Sequence, residues 1–174
     1  MTPEQFLQVE IRDGLCSDNP RFVTLARKTI SQIAHLNKMK AIDYGAGTGV
    51  YANELMQAGF DVVAQDVWKA HRDHMAKCFP GLNVIDRPIR AELMLFIEVA
   101  EHMRDSEIDQ AIAAIQPEII LFSSTSTPTA NDKEWGHINL KEQAAWDSFW
   151  KMRGYDKIKN LKVPTPWARM YQKT

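Results

Sequence analysis

The sequence predicts an α/β protein with a doubly wound, mostly parallel sheet and an antiparallel strand pair at its C-terminal end. Apolar segments of strand length alternate with amphipathic helical segments over five units, which is typical of right-handed crossovers between parallel strands. The apolar segment at residues 118–124 is uninterrupted, as expected for a strand covered on both faces. Because 174 residues make one ordinary domain, we expect a single domain with an N-terminal helical cap at 1–38 and an α/β core at 39–174.

The predicted elements follow one another in a regular order. A helix is expected over residues 20–38, where apolar residues recur at helical spacing after a proline. A polar loop spans residues 123–139, and a loop of this length inside a compact domain is typically functional or mobile. A last helix over residues 140–153 and two strands in the tail complete the fold. The remaining strands are predicted at 39–43, 60–66, 82–86, 91–98 and 118–124, and the helices between them at 50–58, 68–79 and 104–115.

Composition and charge exclude several classes of protein. The two cysteines, Cys16 and Cys78, are too few for a disulfide framework or a thiolate metal site, so we interpret both as idle thiols. No secretory signal and no apolar run of membrane-spanning length is present, which predicts a cytoplasmic protein without a membrane partner. The acidic middle of the chain argues against a broad nucleic-acid surface, whereas the basic segment at 141–174 forms either a solvated face or a local phosphate contact.

Three glycines follow the first predicted strand in the segment AIDYGAGTGV, residues 41–50. A dinucleotide fingerprint requires its third glycine one residue later, and a P-loop requires a Gly-Lys pair, so the spacing disfavours both. The remaining pattern is Asp43-x-Gly45-x-Gly47-x-Gly49, a loop whose backbone a ligand can approach closely. An acidic residue at the base of such a loop repels a pyrophosphate and attracts an ammonium group. The loop therefore indicates a cofactor that carries an amino-acid moiety.

With these residues the chain resembles the class I S-adenosylmethionine-dependent methyltransferases, whose first motif is an apolar strand followed by Asp/Glu-x-Gly-x-Gly-x-Gly. The segments LFIEVAEHM and EWGHINLKEQAAWDSFWKMRGY resemble the small O-methyltransferase branch, which carries a Glu-Val-x-Glu-His segment after the fourth strand. The similarity spans residues 39–171. It implies a Rossmann-like methyltransferase fold, an enzyme of the EC 2.1.1 type and S-adenosyl-L-methionine as the cofactor.

The resemblance also implies roles for individual residues. Asp43 would act on the amino group of the methionine moiety, Gly45 and Gly47 would leave room for that moiety, and Asp66 would hold the ribose hydroxyls. Trp68 either covers the adenine or packs under the second helix of the core. Asp86 either reaches the adenine amino group or caps a turn. The complete predicted cofactor site is Asp43, Gly45, Ala46, Gly47, Gly49, Asp66, Val67, Trp68, Asp86 and Glu98.

A second group of candidate residues follows the fourth predicted strand. Glu98, Glu101 and His102 are spaced i, i+3 and i+4, so one helical turn would gather them on one face, and His137 follows in the long polar loop. In ubiquinone-type and small-RNA 3′-terminal 2′-O-methyltransferases, a Glu-x-x-Glu-His segment and a later histidine bind a divalent cation. The resemblance implies either a Mg, Mn or Zn site at these four residues or a set that only braces the loop. Without a metal, His102 or His137 would be a general base; the predicted catalytic residues are Glu98, His102 and His137.

The acceptor substrate is not identified by the sequence. No Asn/Asp-Pro-Pro-Tyr/Phe segment and no Pro-Cys pair follows the fourth strand, which disfavours amino methylation of bases and C5 methylation of cytosine. An oxygen of a small molecule or of a nucleic-acid end is the expected acceptor, with a nitrogen as the less favoured alternative. The loop at 123–139 would be the lid and acceptor wall. Because little is inserted between the strands, either a large acceptor brings its own surface or a homo- or hetero-oligomer completes the site. Its interface would include some of Trp135, Trp146, Trp150 and Trp167, with core packing the alternative for Trp146 and Trp150.

Two other functional classes remain open. A nucleoside-cofactor oxidoreductase on the same fold is disfavoured by Val50 and by the acidic Asp43. A catalytically weak or inactive methyltransferase-fold subunit, acting as a cofactor-binding or interaction protein, is disfavoured by the intact glycine loop and by Asp66.

Overall fold

The structure is a computed structural model that describes residues 1–126 and 135–174. The chain divides into two compact units, residues 1–89 and residues 90–174. The described helices are α1 (Pro3–Arg12), α2 (Pro20–Ser31), α3 (Val50–Gln57), α4 (Lys69–Cys78), α5 (Asp105–Ile115) and α6 (Gln143–Lys151), with 3₁₀ turns at Ala34–Leu36 and Ala100–His102. The described strands are β1 (Lys40–Tyr44), β2 (Asp61–Gln65), β3 (Asn83–Ile85), β4 (Leu93–Ile97), β5 (Ile119–Ser123), β6 (Tyr155–Asn160) and β7 (Arg169–Lys173).

In the first unit, β2 lies between β1 and β3, and both pairings are parallel. The strands carry small and branched apolar residues, and Ala41, Ile42 and Ala64 are completely buried. At the carboxyl end of the three strands, Tyr44 lies beside Gln65 and Gln65 beside Ile85. Parallel pairing therefore brings the segments that follow β1, β2 and β3 to one edge.

In the second unit, β4 and β5 are parallel, and β7 runs antiparallel between β5 and β6. The core of this unit is aromatic: the ring of Phe122 lies 5.0 Å from that of Trp146 and 5.2 Å from that of Trp150, each in an edge-to-face arrangement. Trp146 is 2% exposed and Trp150 is completely buried, which supports the core-packing interpretation of these two residues. The segments that follow Ile97 and Ser123 lie together at the carboxyl edge.

The predicted fold class is confirmed by the alternation of parallel strands and helices and by the antiparallel pairing of β6 with β7. The strands predicted before residue 125 all occur, each within two residues of its predicted bounds. The helix predicted over residues 20–38 is correct up to Ser31, where α2 ends, and wrong beyond it. The chain leaves helical geometry at Ile33, with φ −117, and this side chain is completely buried.

The predicted helical cap also contains α1, which its apolar spacing did not reveal. Thr2 accepts a hydrogen bond from the Gln5 backbone N–H, and the Gln5 side chain accepts one from the Thr2 N–H, which makes a capping box around Pro3. The sequence Thr-Pro-Glu-Gln is thus the local signal for the start of this helix.

Three further expectations concern the chain as a whole. Cys16 and Cys78 are both free, as expected, and Cys16 is buried. Within the ranges 1–126 and 135–174, no helix has the length and apolar character that a bilayer crossing requires. Residues 127–134 of the predicted lid lie outside the described residues.

Candidate active site

The glycine loop after β1 has the backbone conformation that only glycine adopts easily. Gly45, Gly47 and Gly49 have φ values of 68, 54 and 82°, all in the left-handed region. Gly49 is the N-cap of α3, and a Cβ there would lie 2.6 Å from Cγ of Met75. The backbone N–H of Ala46 donates a hydrogen bond to the Gln65 carbonyl oxygen at 2.9 Å, which ties the loop to the end of β2. The three glycines are therefore fixed by local geometry and by packing.

Asp66 directly follows β2 and lies under the glycine loop. Its Oδ1 accepts the backbone N–H of Trp68 at 2.9 Å, and its Oδ2 accepts that of Gly47 at 3.1 Å. The residue is 6% exposed, and burial raises the pKa of the carboxyl despite these hydrogen bonds. Each carboxylate oxygen retains a further lone pair, so Asp66 can also accept hydroxyl groups of a ligand.

Asp43 lies in β1 at the base of the loop and is 4% exposed. Burial raises the pKa of this carboxyl to about 7; a hydrogen bond from the Ala52 N–H opposes the shift, and the charge of Asp66 adds to it. Among the described residues, the buried Oδ2 of Asp43 has no hydrogen-bond partner. A buried carboxylate oxygen without a partner is costly, and an ammonium group would supply the missing donor. Asp43 and the open glycine backbone therefore fit a cofactor with an amino-acid moiety.

The other predicted cofactor residues of the first unit lie at the same edge. Val67 is 68% exposed and Trp68 is 37% exposed, and the indole of Trp68 contacts the ring of Phe6 in α1 edge to face at 5.1 Å. Asp86 is exposed directly after β3. The structure thus brings the predicted cofactor residues from 43 to 86 together at the ends of β1, β2 and β3, whereas Glu98 belongs to the second unit.

Gln65 is a site residue that the sequence analysis missed. Its Nε2 donates to the Asp86 carbonyl oxygen at 3.1 Å, and its Oε1 accepts the Gly45 N–H at 3.4 Å. The side chain is 1% exposed and so links the glycine loop to the end of β3. The sequence feature that could have identified Gln65 is its place as a polar residue at the end of an apolar strand, directly before Asp66.

In the second unit, the predicted helical turn at Glu98 is wrong. Glu98 has φ 53, in the left-handed region, and the 3₁₀ turn begins only at Ala100. The Glu98 carboxylate instead accepts hydrogen bonds from the hydroxyls of Ser123 and Thr125, the latter at 2.6 Å. Both carboxylate oxygens of Glu98 are therefore engaged by the residues that end and follow β5.

Glu101, His102 and His137 form a compact group of potential metal ligands. One ligand atom from each lies within 4.8 Å of the others, and the two imidazole centroids are 5.0 Å apart. Glu98, the fourth predicted ligand, is not part of this group in the described residues. Glu101 is 1% exposed and accepts hydrogen bonds from the Ser124 hydroxyl at 3.0 Å and the Thr125 N–H at 3.2 Å.

The protonation states of the ligand groups differ. Burial, followed by the charge of Glu98, raises the pKa of Glu101, so a cation that binds this carboxyl displaces a proton from it. Burial and the neighbouring His137 lower the pKa of His102 to about 4, so its imidazole is neutral at pH 7, which is the state in which histidine binds metals. Two imidazoles and one carboxylate are also the protein ligands of some catalytic zinc sites, which keep one position open. The donor set therefore fits a divalent cation.

The segment that carries His137 is bound to the 3₁₀ turn. The N–H groups of Ile138 and Asn139 donate to the carbonyl oxygen of Glu101 at 2.8 and 3.0 Å. The side-chain Nδ2 of Asn139 donates to the carbonyl oxygen of Met103 at 2.7 Å. These bonds explain how a residue 35 positions beyond His102 in the sequence comes to lie beside it.

A small cavity of the second unit has buried polar groups on its walls. It is lined in part by Ser124, Trp146, Trp167 and Arg169. Among the described residues, Nε1 of Trp146, Nε1 of Trp167 and Nε of Arg169 have no hydrogen-bond partner. Unpaired buried N–H groups favour a ligand or water that presents acceptor atoms.

Residues 17–164 match the profile of a protein family described as a methyltransferase domain. A curated relative, an uncharacterized methyltransferase from Oceanobacillus iheyensis, is 26% identical over 120 residues, which cover 60% of this chain and 55% of the relative. The chain thus spans about half the length of that relative.

Two solved structures show the same fold at low identity. The mitomycin 7-O-methyltransferase superposes with a TM-score of 0.62 at 13% identity, covering 91% of this chain and 56% of that one. A 1,6-didemethyltoxoflavin-N1-methyltransferase from Burkholderia thailandensis, solved with bound 1,6-didemethyltoxoflavin and S-adenosylhomocysteine, superposes with a TM-score of 0.64 at 14% identity. This match covers 98% of this chain and 87% of that one. Since the family profile matches most of the chain, and the fold agrees, the chain belongs to the methyltransferase domain family, within the class I S-adenosylmethionine-dependent methyltransferases.

Proposed function

We propose that the chain transfers the methyl group of S-adenosylmethionine to an oxygen atom of a small molecule or of a nucleic-acid end. We further propose that a divalent cation bound by Glu101, His102 and His137 takes part. The observation that carries the proposal is the approach of these three donors to within 4.8 Å of one another.

On the donor side, Asp43, Asp66 and the glycine loop would hold the cofactor. S-adenosylmethionine supplies an electrophilic methyl group on a sulfonium. Methyl transfer is an in-line displacement, so the task of the protein is to orient the two reactants and to exclude water. The buried Asp43 carboxylate would bind the ammonium group, and Asp66 would accept the ribose hydroxyls while it keeps its bonds to the Gly47 and Trp68 N–H groups.

On the acceptor side, the metal group favours an oxygen. A divalent cation supplies Lewis acidity that lowers the pKa of a hydroxyl, and it binds oxygen substrates directly. Of the three predicted metals, two imidazoles and one carboxylate suit Zn or Mn better than Mg, which prefers oxygen ligands. The names of the structural neighbours include an oxygen and a nitrogen methyltransferase, so the fold alone does not select the acceptor atom.

The alternative of a metal-free general base fits His102 less well. With a pKa of about 4, its conjugate acid would be too acidic to retain a proton from a hydroxyl at neutral pH. The same neutrality is an advantage for a metal ligand, because no proton has to be displaced. His102 therefore supports the metal hypothesis over the base hypothesis.

Two measurements test this proposal. Calorimetric titration with Mn²⁺ or Zn²⁺ should show one site in the unmodified protein and in the control His35→Ala, which changes an exposed histidine, and a loss of that site in His137→Ala. Transfer of a labelled methyl group to hydroxyl-bearing small molecules or to RNA ends should stop after treatment with a chelator and resume with the metal. Turnover that is unaffected by the chelator would contradict the metal, and a methylated nitrogen in the product would contradict the oxygen acceptor.

A further inference from the structure

Helix α1 covers the glycine loop of the first unit. Its Phe6 ring packs on Trp68, and its buried face includes Leu7 and Val9. After the helix, the carbonyl oxygen of Leu15 accepts a hydrogen bond from the hydroxyl of Thr48, within the loop itself, at 2.6 Å. Helix α1 and the residues that follow it thus contact the candidate cofactor site at Trp68 and at Thr48.

Glu10 of α1 lies beside Gly47 of the glycine loop. A Cβ at position 47 would lie 2.9 Å from Oε1 of Glu10, so the absence of a side chain at Gly47 makes room for this carboxylate. The other oxygen, Oε2, lies 2.7 Å from Nε2 of His71 in α4. The Glu10 side chain is 14% exposed, and its Oε1 has no hydrogen-bond partner among the described residues. One oxygen is therefore held by a histidine, and the other remains available beside Gly47.

Glu10 lies among charged groups that have opposing effects on its pKa. Burial raises the pKa of Glu10, His71 opposes this shift, and the charge of Asp66 adds to it. Burial alone would lower the pKa of His71, but the hydrogen bond and charge of Glu10, together with the charge of Asp66, raise it. Two carboxylates thus lie close to one imidazole, in a place where they repel one another. A ligand that donates hydrogen bonds to both carboxylates would relieve this repulsion.

We propose that Glu10, whose Oε2 is held by His71, is a cofactor-binding residue and that its Oε1 accepts a hydrogen bond from a ribose hydroxyl of S-adenosylmethionine beside Asp66. The proposal rests on the assignment of the ribose to Asp66. It adds to the cofactor site a residue from α1, outside every motif of the α/β core.

Calorimetry with S-adenosylhomocysteine tests this role without any need for turnover. Glu10→Gln should weaken binding about 10-fold, because an amide accepts a weaker hydrogen bond than a carboxylate, and Glu10→Ala should weaken it further. Glu4→Gln, an exposed change in the same helix, is the matched control and should bind as the unmodified protein does. Thermal unfolding of each variant without ligand would separate a loss of binding from a loss of folding.

A second ligand distinguishes contact from indirect support. An analogue of S-adenosylhomocysteine that lacks one ribose hydroxyl should bind more weakly to the unmodified protein. For the hydroxyl that Glu10 holds, this loss of affinity should largely disappear in Glu10→Gln. The proposal would be overturned if the loss of the 2′ hydroxyl and the loss of the 3′ hydroxyl each weakened binding equally in the unmodified protein and in Glu10→Gln. Unchanged or tighter binding by both Glu10 variants would overturn it too. If the unmodified protein binds no S-adenosylhomocysteine, the placement of the cofactor itself is wrong, and the proposal fails with it.

Discussion

The backbone N–H of Gly47 donates a hydrogen bond to Oδ2 of Asp66, with 3.1 Å between nitrogen and oxygen. The second oxygen of Asp66 accepts the N–H of Trp68. One carboxylate at the end of β2 therefore fixes both the middle of the glycine loop and the entry to α4. Its position depends on the parallel pairing of β1 with β2, which places the two strand ends side by side.

Asp66→Ala should weaken both folding and cofactor binding. The change leaves two N–H groups without their acceptor at a site that is 6% exposed, so the free energy of unfolding should fall by about 1–3 kcal/mol. We also expect the affinity for S-adenosylhomocysteine to fall at least about 10-fold, as for the loss of a hydrogen bond to a charged group. Urea denaturation and calorimetry measure the two effects, and the exposed Asp61→Ala at the start of β2 is the control. Equal affinities for Asp66→Ala and Asp61→Ala would show that Asp66 does not contact the ligand.

Gly49→Ala should destabilise the protein more than Gly59→Ala. Both glycines have a left-handed φ, 82 and 86°, so an alanine at either position is strained by about 1–2 kcal/mol. A Cβ at position 49 would also lie 2.6 Å from Cγ of Met75, whereas at position 59 the nearest atom is 4.0 Å away. Overpacking should therefore cost Gly49→Ala about 1–3 kcal/mol more. Urea midpoints compare the two variants, and a difference near zero would mean that α4 yields to the added methyl group.

The buried Asp43 should make stability fall as the pH rises. Its folded pKa of about 7 lies above the usual value of 3.8, so between these values the folded protein binds a proton that the unfolded chain does not. The free energy of unfolding therefore decreases as the pH rises from about 4 to about 7. The loss is about 4 kcal/mol across this range.

Asp43→Asn should remove the part of this pH dependence that Asp43 contributes, because an amide does not titrate in that range, whereas the part contributed by the buried Glu101 remains. Urea denaturation across the range measures it, and the exposed Asp73→Asn provides a control that should follow the unmodified protein. If Asp43→Asn and the unmodified protein have parallel stability profiles, the Asp43 carboxyl does not titrate near pH 7.

Local features of this chain could be predicted from the sequence. The glycine loop was identified from the spacing of its glycines after Asp43, and Gly45, Gly47 and Gly49 all adopt a left-handed φ that glycine allows. The ends of β1 to β3 were also predictable, since apolar strands in a parallel sheet end at one edge, and Asp66 and Asp86 follow β2 and β3 directly.

Contacts between distant segments could not be predicted in the same way. Glu10 and His71 are 61 positions apart, and no periodic pattern relates α1 to α4. The i, i+3, i+4 spacing of Glu98, Glu101 and His102 suggested a helical turn, but the left-handed backbone of Glu98 turns its carboxylate to Ser123 and Thr125. Residue spacing does not reveal this conformation, because a left-handed φ at a single non-glycine residue leaves no periodic pattern in the sequence.

Asn139→Ala should weaken metal binding although Asn139 is not one of the three metal donors. Its Nδ2 donates to the Met103 carbonyl oxygen at 2.7 Å and to Oδ1 of Asp105 at 2.9 Å, and these bonds hold the segment of His137 against the 3₁₀ turn. Residues that orient metal ligands contribute about 10- to 100-fold to affinity, so we expect a loss of about 10-fold for Mn²⁺. The exposed Asn160→Ala at the end of β6 is the control. Calorimetry measures both variants, and an unchanged affinity in Asn139→Ala would show that the backbone bonds to Glu101 suffice to place His137.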